Sequence, residues 1–261
     1  MRAFDMRAQA LVGPGERLDD LELLGIRILQ KPGDFCFGTD AVMLADFARI
    51  RPGCKAVDLG TGTGVIPLLL CTRREPEQVT GVEIREDMAD MARRSVLLAG
   101  MEDRIEVLTL DLKDAPDVLG HGAFDYALCN PPYRRRGAGP SSPHPGRRMA
   151  REEEGCTIKD VCDSAFLLLK NRGALAVIFP APRMAEAVHA LCASRLEPKR
   201  MRMVHPRPGS PPSIVMNLPR VIAAHGAFAN SVGPRLHAPR VFSKSNDCRR
   251  ARPSRRRIAH R

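Results

Sequence analysis

The segment Asn130-Pro131-Pro132-Tyr133 has residue types and spacing suited to chemistry on an amino group. It directly follows residues 124–129, an apolar run typical of a buried strand. The two prolines fix the backbone and remove two N–H donors, so the Asn130 side-chain oxygen and the Pro131 carbonyl can both accept from one planar amine. The ring of Tyr133 offers a face for stacking a flat substrate. This pattern predicts attack by a planar amine on an electrophile.

A second set of residues, earlier in the chain, suits a nucleotide-like ligand. Residues 56–64 read AVDLGTGTG, and glycines at alternate positions let the backbone approach a ligand closely. This spacing differs from the G-x-G-x-x-G of dinucleotide-binding folds. Glu83, 19 residues after Gly64, ends the next apolar run and can accept both hydroxyls of a ribose. Asp111 ends a third run and can accept from an exocyclic amine, while Leu112 can pack on a purine.

These candidates all stand at the ends of predicted strands, which must bring them together. Apolar runs predict strands over residues 56–59, 79–84, 105–110, 124–129 and 174–179, alternating with helices over 65–71, 87–99, 157–169 and 183–196. Upstream, residues 21–30 predict a strand or hairpin, and Asp40 is a candidate cap for a helix over 41–47. Strands over 201–205 and 213–218 must form an antiparallel hairpin, because their connection is too short for a parallel crossover. The alternation predicts an α/β, doubly wound, mostly parallel sheet, which binds ligands at the carboxyl ends of its strands.

Composition narrows the class of protein. The chain has 261 residues, of which 44% are hydrophobic and 27% charged, so one sizeable packed domain is expected. Aromatic residues make up 4%, which argues against stacking platforms for single-stranded nucleic acid. The 8 cysteines form no C-x-x-C pair, and Cys54, Cys71 and Cys129 are predicted to be small buried hydrophobes. No apolar run approaches the roughly 20 residues of a membrane span, and no secretory signal is present, so a cytoplasmic location is predicted.

The positive charge is concentrated at the carboxyl end of the chain. Residues 218–261 contain 11 Lys and Arg against the single acid Asp247, giving +10 of the total +11, and residues 1–217 therefore carry about +1. The predicted organisation is a loose segment over 1–19, a folded domain over 20–218 and a basic Arg/Pro-rich tail over 219–261. The tail is predicted to be disordered, and it is either a sequence in another frame or an RNA-binding extension.

The series VDLGTGTG, VEI, LDL and NPPY resembles class I S-adenosylmethionine-dependent methyltransferases that act on planar amino groups. The segments FGTDAVMLADF, MADMARRSV and LEPKRMRMVHPR are similar to the bacterial valine-tRNA adenine-37 N6-methyltransferase family, and the similarity runs over residues 19–216. This resemblance implies a Rossmann-like fold with a seven-stranded, mostly parallel sheet, an antiparallel edge hairpin and helices on both faces.

The same resemblance assigns roles to individual residues. It implies S-adenosyl-L-methionine as cofactor, covered by Phe37 and bound by Gly38, Thr39, Asp58, Gly60, Thr61, Gly62, Gly64, Glu83, Asp111, Leu112 and Asn130. It implies a catalytic segment of Asn130, Pro131, Pro132 and Tyr133, with substrate bound by Tyr133, Arg134, Arg135 and Arg136. The last three begin a loop over 134–151 with six arginines, which could bind phosphates.

The predicted function is therefore S-adenosylmethionine-dependent N6-methylation of adenine in RNA, with tRNA of the adenine-37 type as the favoured substrate. Three alternatives stay open: a protein glutamine-N5 methyltransferase acting on translation factors, a DNA N6-adenine methyltransferase, and a non-catalytic RNA-binding protein with this fold. The chemistry needs no metal, and a monomer is expected. Neither His121 nor His144 is required, and both are predicted to be surface residues.

Overall fold

A sequence of short strands and helices makes up the folded part of the chain, seen here in a computed structural model that describes residues 9–32, 36–131 and 156–222. The strands are β1 Arg17–Asp20, β2 Arg27–Gln30, β3 Lys55–Leu59, β4 Gln78–Glu83, β5 Ile105–Thr109, β6 Phe124–Cys129, β7 Leu169–Pro180, β8 Leu196–Val204 and β9 Ile214–Val221. The α-helices are α1 Thr39–Ala48, α2 Val65–Arg74, α3 Glu86–Ala99, α4 Ala115–Leu119, α5 Ile158–Leu168 and α6 Met184–Ala193. A short 3-10 turn, Ala181–Arg183, joins β7 to α6.

Seven of the strands form one sheet in the order β5-β4-β3-β6-β7-β9-β8. The first five strands in this order are parallel to one another, whereas β9 is antiparallel to both β7 and β8. Strands β1 and β2 form a separate antiparallel pair. The predicted α/β fold is confirmed: a seven-stranded, mostly parallel sheet with an antiparallel hairpin at one edge.

Helices cover both faces of the sheet, and each face has its own apolar core. The first core contains side chains of α1, α2 and α3, including Leu44, Leu68 and Ala92. The second contains side chains of α4, α5 and α6, including Val161 and Leu191. Because both faces are covered, the parallel strands are apolar along most of their length, which is why short apolar runs located them in the sequence.

Helix α1 begins differently from the prediction. Thr39 is its first residue and Gly38 is the N-cap, with no side chain capping the helix. Asp40, the predicted cap, lies in the first turn, where its carboxylate accepts from the N–H of Ala41 at 2.9 Å. The prediction of an Asp40 cap was wrong by two positions, and an acidic side chain in the first turn is still favourable there.

The boundaries around the last helices also differ. Thr157 caps α5 through a capping box with Asp160, so the predicted helix over 157–169 starts one residue later. That helix ends at Leu168, and β7 begins at once at Leu169. Likewise α6 ends at Ala193, because Leu196 is buried and pairs with the end of β9.

Both predicted domain limits need correction. Residues 1–19 were expected to be loose, but β1 begins at Arg17 and pairs with β2. Glu16 lies in an ion pair with Arg94 of α3 at 2.7 Å. At the other end, β9 continues past Leu218 to Val221, which pairs with Leu196 of β8. The chain divides into residues 1–227 and 228–261, and the second unit lies outside the described residues.

Candidate active site

Four parallel strands end side by side and bring the candidate residues to one edge of the sheet, called here the carboxyl edge. In the ladder Leu59 pairs with Val82, Glu83 with Thr109, and Asp58 with Leu128. The N–H of Leu110 then donates to the carbonyl of Glu83 at 2.9 Å, which extends the pairing beyond the strands. The structure therefore brings together the glycine turn after β3, Glu83 at the end of β4, Asp111 after β5 and Asn130 after β6.

The glycine turn is held in a fixed shape by its own backbone. Gly60, Gly62 and Gly64 have φ angles of 79°, 57° and 88°, in the left-handed region that favours glycine. The N–H groups of Gly60 and Thr61 both donate to the carbonyl of Val82, at 2.8 and 3.0 Å. Gly64 is the N-cap of α2, whose first residues are buried. The turn thus joins β3 to α2 at the carboxyl edge, with Gly60 exposed, Gly62 half-buried and Gly64 buried.

Asp58 lies at the base of this turn and is fully buried. Its Oδ2 accepts from the Thr61 hydroxyl at 2.7 Å, whereas Oδ1 has no hydrogen-bond partner among the described residues. Burial raises the pKa of this carboxyl to about 7, and the nearby charge of Glu83 adds to the effect. Oδ1 of Asp58 therefore suits a cationic ligand group, because a positive charge beside the carboxyl would favour its ionised form.

Glu83 presents a pair of carboxylate oxygens that are partly engaged. Its Oε2 accepts from the N–H of Gly62 at 2.8 Å, and its Oε1 accepts from the N–H of Arg85 at 3.1 Å. Burial raises the pKa of this side chain, although both backbone hydrogen bonds oppose the shift. Each carboxylate oxygen can accept a second bond, so Glu83 can receive two neighbouring hydroxyls.

Asp111 and Leu112 form the turn after β5. The Asp111 carboxylate accepts from the N–H of Lys113 at 3.0 Å and lies 3.3 Å from the Lys113 ammonium. Leu112 is half-buried and packs against the second core. These contacts give Asp111 a structural role in the turn. They also keep it at the carboxyl edge, where it could contact a ligand.

The segment before α1 is anchored by a buried amide. The N–H of Phe37 donates to Oε1 of Gln30, which is fully buried at the end of β2, at 3.2 Å. Gly38 and Thr39 follow at the start of α1, which packs against β6, β7 and β9.

Asn130 and Pro131 directly follow β6, with Asn130 half-buried and Pro131 buried. Pro132, Tyr133, Arg134, Arg135 and Arg136 lie outside the described residues, as do the rest of the arginine-rich loop and His144. His121 is exposed, as predicted.

Sequence reasoning missed Ile84, which follows Glu83 directly. Its side chain is 57% exposed, although it is large and apolar and ends a buried run. The predicted strand over 79–84 ended at this residue, and no role was assigned to its side chain. An apolar side chain left exposed next to the Glu83 carboxylate fits the flat face of a ligand base.

Comparison with known proteins agrees with this geometry. Residues 26–142 match the methyltransferase small domain family. A tRNA1(Val) (adenine(37)-N6)-methyltransferase of Porphyromonas gingivalis is 33% identical, over 63% of this chain and 71% of that protein. One of the same name from Phocaeicola vulgatus is 31% identical, over 69% of this chain and 74% of that protein. The chain belongs to the tRNA1(Val) (adenine(37)-N6)-methyltransferase family.

A solved structure supports the same class of fold and activity. The crystal structure of a predicted O-methyltransferase from Agrobacterium tumefaciens superposes on this chain with a TM-score of 0.57. The aligned region covers 70% of this chain and 81% of that chain, with 27% sequence identity. The chain is thus an S-adenosyl-L-methionine-dependent methyltransferase. No helix in the described residues is long and apolar enough to cross a membrane.

The site residues fit S-adenosyl-L-methionine by their chemistry. The cofactor carries an ammonium, a ribose diol and an adenine. The site offers an orphaned buried carboxylate oxygen at Asp58, two free acceptor positions at Glu83, and an exposed apolar side chain at Ile84.

Proposed function

We propose that this methyltransferase transfers a methyl group to N6 of an adenine in tRNA, at a position of the adenine-37 type. The observation that carries the proposal is the register of the sheet. Asp58 pairs with Leu128, so Asn130 follows its strand beside the glycine turn, and Glu83 lies one strand further on the other side of β3. An amine acceptor therefore stands next to a cofactor site. The relatives' names supply the tRNA substrate and the adenine.

When bound, S-adenosyl-L-methionine supplies a methyl group on a sulfonium, which is a good leaving group. The chain mainly has to orient the target amine. The Asn130 side-chain oxygen and the Pro131 carbonyl accept the two N–H groups of that amine and direct its lone pair outward. The amine proton leaves after attack, through Asn130 or water, so no strong base is needed at this point.

The remaining residues divide between cofactor and substrate. Glu83 accepts the ribose hydroxyls, and Asp58 and the turn over residues 60–64 hold the methionine end. Ile84 and Leu112 pack on the cofactor adenine, and Asp111 accepts its exocyclic amine. The residues assigned to cover the cofactor are Phe37, Gly38 and Thr39, and those assigned to the substrate are Tyr133, Arg134, Arg135 and Arg136. A tRNA substrate also fits the predicted cytoplasmic location.

The polymer that receives the methyl group tests this proposal. The full chain is incubated with labelled S-adenosyl-L-methionine and, separately, with unmodified bulk tRNA, unmethylated duplex DNA, and a translation factor that carries an exposed glutamine. We expect label in tRNA alone, and the Asn130→Ala variant should lose this transfer while calorimetry shows retained cofactor binding.

Three results would count against the proposal. Label in the translation factor but not in tRNA would make the chain a glutamine methyltransferase, and label in DNA would make it a DNA enzyme. Unchanged turnover in Asn130→Ala would remove the role of Asn130 as amine acceptor. The Asn217→Ala variant is a matched control, because this buried amide lies in β9 and is assigned no role in the reaction.

A further inference from the structure

Two arginines lie over one buried phenylalanine at the edge of the sheet, and a third lies close to them. Arg200 and Arg202 of β8 pair with Leu218 and Met216, whose side chains belong to the first core, so both arginines lie on the face covered by α1. Their guanidinium carbons lie 4.3 and 5.3 Å from the centre of the Phe47 ring. Arg49, just after α1, is exposed and close enough to act electrostatically on Arg200. We call Arg49, Arg200 and Arg202 the arginine cluster.

The fold does not neutralise this cluster. Asp46 is the acid that acts on Arg200, and it is held by Arg74 of α2 at 3.1 Å. Among the described residues, neither Arg49 nor Arg202 has a carboxylate within ion-pair distance. The pKa of Arg200 is lowered, first by burial and then by repulsion from Arg49 and Arg202. Like charges this close oppose folding unless an anion binds them.

Structural roles account for only part of the cluster. Arg200 donates to the carbonyl of Phe47 in the last turn of α1, where a cation also favours the helix dipole. Charges on the edge strand β8 discourage pairing with another chain. Neither role requires that Arg49 and Arg202 stand beside Arg200.

The register places the cluster near the amine acceptor. Cys129 pairs with Val177, Val177 with Asn217, and Asn217 with Met201. Asn130 and Arg202 each come one residue later on strands that run in the same direction. They therefore stand level at the carboxyl edge, separated by three strand spacings, which is on the order of 14 Å. The cluster therefore lies within a few nucleotides of the amine acceptor along an RNA strand, at roughly 3.4 Å per nucleotide in a helix.

We propose that the arginine cluster binds the phosphate backbone of the RNA substrate beside the target base. The proposal rests on the proposed function, which supplies the RNA. Guanidinium groups suit the site because their planar donors bind phosphate oxygens in pairs, and stacking on Phe47 holds two of them in place. Arg49 and Arg202 contribute most to binding, since Arg200 is already engaged with α1.

Salt-dependent binding of unmodified tRNA tests the cluster. The variants are Arg49→Gln, Arg202→Gln and their double, all in the full chain. The matched control is Arg195→Gln, an exposed arginine that lies 5.9 Å from the ring of Phe166 in α5, on the opposite face of the sheet. Removing one arginine that binds a phosphate should make the slope of log K against log salt shallower by about 0.7 to 0.9, the values for single-stranded and duplex nucleic acid.

We expect the double variant to lose about 1.4 to 1.8 from this slope. It should raise KM for tRNA with kcat unchanged, and keep the wild-type affinity for S-adenosyl-L-methionine. The Arg195→Gln control should keep the wild-type slope. A wild-type slope in the double variant would overturn the proposal, and so would an equal loss in Arg195→Gln, because only the total charge would then matter.

The same measurements separate this proposal from the proposed function. If the wild-type chain methylates tRNA and the double variant keeps the wild-type slope, only the role of the arginine cluster is refuted. If the wild-type chain neither binds nor methylates tRNA, both fail. Unfolding curves for each variant show whether a changed slope belongs to folded protein.

Discussion

Among single residues, burial governs the behaviour of the carboxylates in the cofactor site. The pKa of Asp58 is raised to about 7 because its carboxyl is fully buried, and among the described residues one of its oxygens has no hydrogen-bond partner. The folded chain therefore keeps a proton that the unfolded chain has already released, over the window from about pH 4 to about pH 7. Stability without cofactor must fall as pH rises through this window, and the loss is complete above it.

The Asp58→Asn variant should remove this pH dependence. An amide stays neutral, and its oxygen can still accept from Thr61. Between pH 5 and pH 8, the free energy of unfolding of the wild type should fall by about 2 kcal/mol more than that of the variant. Urea unfolding of cofactor-free protein at the two pH values measures the difference. Parallel changes in both proteins would show that Asp58 is ionised in the fold.

The Glu83→Ala variant should weaken cofactor binding. It removes two charged acceptors for hydroxyls, so we expect a loss of roughly 10- to 100-fold in affinity, measured by calorimetry. Glu86→Ala is the control, because the Glu86 carboxylate is exposed and pairs with Arg93 in α3. Equal affinity in wild type and Glu83→Ala would remove the ribose assignment.

The sequence singled out Glu83 because it ends an apolar run at a strand end, whereas Asp58, which lies within β3, was assigned only by the family resemblance. It did not predict that Ile84 would be exposed, because exposure depends on where β4 leaves the sheet and not on residue type. It also placed the cap of α1 at Asp40, since an acidic residue before an apolar stretch resembles a cap, whereas Gly38 has that position.

At the scale of elements, β4 and the glycine turn pack closely because Gly81 of β4 has no side chain. Gly81 lies beside Asp58 in the ladder, and a Cβ placed on Gly81 would come within 2.9 Å of Thr61 Cγ2. This space is what lets Thr61 fold over β4 and donate to Asp58.

Gly81→Ala should therefore destabilise the fold through a clash with Thr61. We expect a loss of about 1–3 kcal/mol in the free energy of unfolding, the usual cost of overpacking. In a Thr61→Ala background the same change should cost less, because the two nearest atoms, Cγ2 and Oγ1 of Thr61, are gone. Urea unfolding of both single variants and the double measures the coupling. Additive losses would contradict the steric account.

Element positions were predicted best where the pattern was apolar and continuous, as in β3 and β6. The hairpin of β8 and β9 followed from the short connection alone. Strand β1 was missed because its residues, RLDD, carry no apolar alternation and pair only with β2. The start of β7 was missed because Leu169 continues the apolar pattern of α5 and the three residues after it are polar, whereas residues 173–179 are buried throughout.

At the scale of the whole molecule, the basic carboxyl-terminal region adds charge to a nearly neutral domain. Residues 223–261 contain 10 Lys and Arg and one acid, so they carry +9 of the total +11 and leave +2 on residues 1–222. The sequence predicted this division of charge well. It placed the boundary at Leu218, before the last residues of β9, because Pro219 and Arg220 resemble the tail in composition.

Truncation after Ile222 should change RNA binding but not the cofactor site. Strand β9 is kept whole, so S-adenosyl-L-methionine should bind with unchanged affinity. If the tail contacts phosphates, the dependence of tRNA affinity on salt should become shallower. Truncation after Leu218 is the comparison, and it should also lower stability, because it removes the pairing of Val221 with Leu196. An unchanged slope after truncation at Ile222 would show that the tail makes no phosphate contacts.

The central claim, methylation of adenine N6 in tRNA at position 37, has a direct measurement. Two transcripts of tRNA1(Val), one natural and one with guanine at nucleotide 37, are treated with the full chain and labelled S-adenosyl-L-methionine. Their nucleosides are then separated by mass spectrometry. We expect N6-methyladenosine from the natural transcript and no methylated nucleoside from the other. Equal methylation of both transcripts, or label in a nucleoside other than N6-methyladenosine, would contradict it.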